Sequence, residues 1–207
     1  FRFLDDAAEI GVKAISFVSD GESTCSPHLY DAVKHGKENG LDIGLGTNGV
    51  LLKEERLEEM LPNLTYLRFN ISAGESKRYS EIHGCKEKDF YKLKEVIKKC
   101  VGIKKENGLE TTIGMQMVLL PEFADQVKPL TKLGKALGVD YLVIKHCSDD
   151  ENSTLRVDYK KYFDSALINL LKEAEKQSDD GYFVKAKWSK ILSGGKRKYS
   201  QCYGPPF

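Results

Sequence analysis

A carboxylate, Glu22, follows the glycine of a turn, Ser19-Asp20-Gly21-Glu22, just after the apolar run VKAISFV (residues 12–18). Asn48, Ser72 and Lys145 lie at the ends of later apolar runs in the same manner. Parallel α/β folds hold their ligands at the carboxyl ends of strands, so this recurrence points to a polar ligand. Side-chain alternation along a strand sharpens the point. In TYLRFNIS (65–72), Leu67, Phe69 and Ile71 share one face and leave Arg68, Asn70 and Ser72 on the other. Gly114 and Gln116 oppose Ile113, Met115 and Met117; Gly44, Gly46 and Asn48 oppose Ile43 and Leu45; Lys145 opposes Leu142 and Ile144. One strand face is therefore polar and glycine-lined. It suits a bound polar ligand inside a barrel, or solvent on an open sheet.

Other side chains offer different chemistry. Lys145, inward at a strand end, stands where burial lowers a lysine pKa and allows Schiff-base formation. His28, His35, His83 and His146 are dispersed, which favours solvated or capping roles, and only His146, beside Lys145, is placed for substrate contact. Cys25, Cys85, Cys100, Cys147 and Cys202 contain no C-x-x-C pair, so neither a disulfide framework nor a zinc site is signalled, and reduced thiols are expected.

The elements that must position these residues follow from periodicity. Residues 12–18, 41–46, 65–71, 111–119 and 139–145 read as strands, with 182–188 (YFVKAKW) as another. Helical stripes lie between them, such as Phe90, Leu93, Val96, Ile97, Cys100 and Val101, and Ser26-Pro27 reads as the cap and first residue of a helix to about residue 38. Such alternation implies an α/β fold with a parallel sheet, open or closed into a barrel. A boundary is expected near residue 178, dividing a barrel over residues 1–177 from a bridging segment and further module over 178–207.

The totals narrow the function. The 207 residues are 41% hydrophobic and 30% charged, enough for one buried domain. A net charge of +1 gives no general pull toward nucleic acid or anionic membrane. No apolar run approaches the ~20 residues of a membrane span, so a cytoplasmic protein without nucleic-acid or membrane partners is expected.

Taken in order, GVKAISFVSDGEST, LDIGLGTNGVLL, LTYLRFNISAG with YSEIHG, TIGMQMVLLPE and LGVDYLVIKH resemble the barrel of radical S-adenosylmethionine (SAM) enzymes over roughly residues 1–147. The resemblance implies a partial (β/α)6 TIM-like barrel. It also implies that Gly21-Glu22 grips the amino group of SAM. A carboxylate on a glycine turn can accept charge-assisted hydrogen bonds from an ammonium while the ligand lies against bare backbone. Asp20 departs from the glycine usual there. By the same resemblance Ser72, with Asn70 beside it, matches the ribose contact, the Gly114 strand with Gln116 borders the adenine, and Asn48 faces SAM or substrate. Lys145 and His146 remain candidates for substrate.

The family's three-cysteine loop for a [4Fe-4S] cluster is absent from these residues and is expected before Phe1, since residues 1–10 resemble the helix that follows it. CYGPPF is similar to the start of an auxiliary iron-sulfur domain of the SPASM or twitch type, with Cys202 as its candidate ligand. The implied reaction is reductive cleavage of SAM to a 5′-deoxyadenosyl radical that abstracts hydrogen from a substrate, peptide or small molecule, with electrons from a one-electron donor such as flavodoxin or ferredoxin. An aldolase-like barrel using Lys145 and a non-catalytic, cluster-less binding barrel are the alternatives.

Overall fold

The computed structural model describes residues 1–18, 21–149 and 154–196. Six parallel strands pair in sequence order: β1 (Ala14–Phe17), β2 (Asp42–Thr47), β3 (Tyr66–Asn70), β4 (Thr112–Leu119), β5 (Tyr141–His146) and β6 (Phe183–Ala186). Between them run α1 (Arg2–Glu9), α2 (Leu29–Glu38), α3 (Leu57–Met60), α4 (Ser76–His83), α5 (Glu87–Glu106), α6 (Val127–Leu137), α7 (Ser165–Glu175) and α8 (Trp188–Ile191). The α/β architecture with six strands is the one the alternation implied.

Alternation decides where the core sits. Ile43, Leu45, Leu67, Phe69, Ile71, Ile113, Met115, Met117, Leu142 and Ile144 are all fully buried. They meet the apolar stripes of the helices. α5 contributes Phe90, Leu93, Val96, Ile97, Cys100, Val101 and Ile103, spaced three and four apart so that one face of the helix is apolar. Each such side chain contributes about 1.5–3 kcal/mol on burial. The helix opens with the Lys86 N–H donating to the Asp89 carboxylate, 3.1 Å away. On the other sheet face Tyr66, Arg68, Asn70, Tyr141, Val143 and Lys145 are only half-buried, and Phe183 and Lys185 are exposed.

Two expectations require correction. The helix after the Glu22 turn starts at Leu29, not at Pro27, because Ser23–Cys25 first form a separate 3-10 turn capped by Glu22. The boundary expected near residue 178 falls instead in the tight turn between α7 and β6. There Asp179 and Tyr182 form a bridge, and β6 then pairs with β5 from Tyr141↔Phe183 to Ile144↔Ala186. Residues 183–186 therefore continue the sheet. Cys202 and the remainder of the expected further module lie outside the described residues.

Candidate functional site

Glu22 is fixed by four donors. Its Oε1 accepts from the Thr24 N–H (3.1 Å), the Thr24 hydroxyl (2.8 Å) and the Thr47 hydroxyl (2.6 Å), while Oε2 accepts from the Asn48 N–H (2.7 Å). Partial burial pushes its pKa up, but these hydrogen bonds, Asn48 foremost, outweigh it and hold the carboxyl below its ordinary value. The group is thus an anion with its geometry set in advance. An ionised carboxylate offers about four acceptor sites, and Oε2 has one donor among the described residues, so capacity remains for an ammonium.

Thr47 was not singled out by sequence reasoning. Its parity along β2 assigns it to the helix side, and it is fully buried. Yet its hydroxyl donates to Glu22 and accepts from the Gly49 N–H at 2.9 Å. Asn48 enters the site through its backbone N–H, for its side-chain oxygen is occupied by the Val50 N–H at 3.0 Å.

Across the sheet, Asn70 and Gln116 pair in register, the Gln116 amide donating to the Asn70 oxygen at 3.1 Å. The Ser72 hydroxyl accepts from the Val118 N–H at 3.2 Å, which leaves its own O–H free to donate. The Ser72 N–H donates to His83 Nε2 at 3.0 Å. Nδ1 of that imidazole therefore carries the proton, and the ring lies against Tyr79 with centroids 4.5 Å apart. Desolvation of the inward side of the ring lowers the His83 pKa. His83 was expected as a solvated or capping side chain; one edge does face solvent, but its nitrogen orients Ser72.

Gly114 also has a packing purpose. A Cβ there would lie 2.1 Å from the Tyr141 ring, and one at Gly44 would lie 2.2 Å from the Tyr66 ring. The missing side chains make room for tyrosines that cover the sheet, which corrects the expectation of a bare, glycine-lined surface. His146 also needs correction. It alternates with Lys145 onto the helix side, where it is buried, donates from Nδ1 to the Cys147 carbonyl at 2.6 Å and meets the edges of Tyr159 and Tyr162.

Lys145 remains on the inner face, half-buried. Burial lowers its pKa, and the nearby positive charges of Arg68 and Lys187 lower it further. Arg68 lies over the Tyr66 ring, 5.8 Å from its centroid, and its Nε is buried with no hydrogen-bond partner. Such an unmet donor costs about 1–3 kcal/mol, more for a charged group.

Among the described residues no group of three or more His, Cys, Asp or Glu is arranged to hold a metal ion. Cys25 is exposed and Cys85 half-buried, while Cys100 and Cys147 are buried. Burial pushes the Cys147 thiol up and takes Cys100 to about 12, so neither favours the thiolate a metal requires. These residues fit SAM at Glu22 but do not fit an iron-sulfur cluster. A groove of about 690 Å³ lined by Pro121, Phe163, Leu167 and Leu170 shares no residue with the Glu22 site.

A parallel α/β sheet with a fixed carboxylate and polar residues at the carboxyl ends of its strands defines a ligand-binding protein of the TIM-like class. The chain belongs to the Radical SAM superfamily, which it matches over residues 1–133. It is 28% identical over 150 residues to the tungsten-containing aldehyde ferredoxin oxidoreductase cofactor-modifying protein of Pyrococcus furiosus, covering 70% of this chain and 41% of that protein. It is 44% identical over 59 residues to the PqqA peptide cyclase of Bradyrhizobium diazoefficiens, covering 28% of this chain and 15% of that one. The crystal structure of Streptococcus suis SuiB bound to S-adenosylmethionine superposes with a TM-score of 0.71 at 16% identity, covering 93% of this chain and 44% of that one. The chain thus spans less than half the length of these relatives, and the family implies SAM and a [4Fe-4S] cluster.

Proposed function

We propose that the protein is a radical SAM enzyme whose Glu22 holds the amino group of SAM. The observation that carries this is the carboxylate's fixation by four hydrogen bonds at the carboxyl mouth of β1 and β2. Thr24, Thr47 and the Asn48 N–H orient Glu22 before ligand arrives, so little ordering cost falls on binding. The Ser72 O–H, aimed by its bonds to Val118 and His83, donates toward the ribose, and Asn70, Gln116 and the Gly114 backbone line the path toward the adenine.

When bound, SAM and a [4Fe-4S] cluster supply hydrogen-atom abstraction from an unactivated C–H bond. This chain's contribution is to orient SAM and to exclude water from it: Tyr66 and Tyr141 cover the sheet beneath the site. The cluster's ligands are expected on sequence before Phe1, and an auxiliary cluster is assigned to the segment containing Cys202. A peptide substrate is supported by the PqqA peptide cyclase among the relatives. Electrons come in this proposal from a flavodoxin or ferredoxin. A cytoplasmic location fits the reduced thiols and the lack, among the described residues, of a helix long and apolar enough to cross a membrane.

Calorimetric titration of SAM into the intact, iron-reconstituted polypeptide tests the assignment. Replacing Glu22→Gln is expected to weaken binding roughly 10- to 100-fold, the worth of one charge-assisted hydrogen bond. An unchanged affinity overturns it.

A further inference from the structure

Arg68 and Lys145 are cations facing the same side of the sheet, and the described residues give them no counter-charge. Arg56 and Arg78, by contrast, each hold two carboxylates: Asp31 and Glu59 for the first, Glu81 and Asp125 for the second. The inner-face carboxylates are engaged or remote. Glu22 is fixed at the ends of β1 and β2 by four donors and faces SAM's amino group in the function proposed above. Asp42 lies at the opposite, amino-terminal end of β2 and accepts from the Thr65 hydroxyl.

Around Lys145 the charges of Arg68, Lys187 and Lys190 repel its ammonium, with only the Cys147 thiol acting the other way. Like charges on one face that feel each other without a counter-charge are stabilised by an anion between them. The orphaned Arg68 Nε adds a second, independent mark: a guanidinium in this state lacks the acceptor its planar fork is built to take.

We infer that Arg68 and Lys145 form a subsite for a carboxylate of the substrate, bound beside SAM. The inference deepens the function proposed above and rests on it for SAM's position. Carboxylate is the shared chemistry of two sources, the substrate and the methionine end of SAM itself. Register separates them. Glu22 is anchored to the end of β2, and SAM's amino and carboxylate groups share one carbon atom. β5 lies three strand spacings from β2, roughly 14 Å away. Arg68 pairs with Gly46 on the neighbouring β2, so the separation from SAM is set by Lys145 alone. A carboxylate spanning toward Lys145 therefore belongs to a second molecule. Substrates that carry a free carboxylate, including acidic peptides, fit this face; cationic ones do not.

The experiment is calorimetric titration of succinate, with neutral succinamide as control, into the intact reconstituted protein saturated with SAM. Succinate is expected to bind saturably and succinamide not at all. Arg68→Gln and Lys145→Met should each weaken succinate at least tenfold while SAM affinity stays within twofold, with circular dichroism confirming the fold. Lys145 is half-exposed, so K145M preserves the test if R68Q unfolds. Equal behaviour of the two probes, or succinate binding indifferent to both substitutions, overturns the subsite. So does displacement of succinate by SAM together with a weakened SAM affinity in R68Q, which assigns the cations to SAM's own carboxylate. If E22Q leaves SAM binding intact while R68Q and K145M still abolish succinate binding in SAM-free protein, the carboxylate site stands and the Glu22 assignment alone falls.

Discussion

The two sides of the same strand ends are built in opposite ways. At β1 and β2 the Glu22 carboxylate takes four hydrogen bonds, and Thr47 both donates to it and accepts from Gly49. At β3 and β5, Arg68 and Lys145 stand without a counter-charge among the described residues, and the buried Arg68 Nε has no hydrogen-bond partner among them. The first arrangement is ordered before a ligand arrives; the second is neutralised only by one. Satisfied networks stabilise the fold and set geometry, whereas unmet charge subtracts from stability and is retained where binding repays it. Substitutions should therefore act differently on the two sides.

The largest effect is expected for Glu22→Gln, already argued for SAM affinity, and its stability counterpart sharpens the contrast. The folded-state Glu22 pKa lies below its ordinary value of 4.5. Its contribution is thus fully present above the unfolded pKa and is lost as pH falls through the lower folded value. Urea melts of wild type and E22Q should differ at pH 7 and converge below pH 4.5. On the other side, Arg68→Gln should leave stability unchanged or raise it, since it removes a half-buried charge whose buried Nε is unpaired.

Gly114→Ala comes next. The new methyl group meets the Tyr141 ring at 2.1 Å, and overpacking of this kind costs about 1–3 kcal/mol. The loss should shrink in a Tyr141→Ala background, a coupling that a double-mutant cycle in urea measures. Full additivity would mean that the ring does not occupy the space Gly114 leaves.

Thr47→Val follows in size. Valine keeps the shape but removes both the donor to Glu22 and the acceptor for the Gly49 N–H, leaving a buried amide unpaired at about 1–2 kcal/mol. SAM affinity should fall with it by a smaller factor than in E22Q, because three of the four donors still hold the carboxylate.

These residues also show what could be read from the sequence. The strands were legible because their outward faces carry Val, Ile, Leu, Phe and Met with period two, and burial of that face fixes the register. Glu22 was legible because a carboxylate on a glycine turn after a strand has little structural reason to be there. The tyrosine over Gly114 was not legible, since a missing side chain does not announce what fills its place, and Tyr141 lies on another strand. Thr47 was hidden by alternation, which assigns its Cβ to the core while its hydroxyl turns toward Glu22. His146 was grouped with Lys145 by adjacency, although adjacent strand residues face opposite ways. The unpaired state of Arg68 is invisible in sequence, where 31 acidic residues appear ready to balance 32 basic ones.

His83 gives the smallest and most specific test. It stands 11 residues beyond Ser72, so only the fold of α4 brings its ring back to the Ser72 N–H. Nε2 accepts that hydrogen, and protonation would turn it into a donor facing a donor. Desolvation already lowers the folded pKa, so the unfolded chain binds the proton more readily. The corresponding stability is present above the unfolded value of 6.5 and declines as pH falls through the folded pKa. His146, whose pKa is also lowered first by burial, contributes in the same direction. Melts from pH 7.5 to 5.5 should therefore show a decline that His83→Gln reduces by less than about 1 kcal/mol and His146→Gln reduces separately. A wild-type slope that His83→Gln leaves untouched would show that Ser72 is held by β4 alone, through Val118, and that its orientation owes nothing to α4.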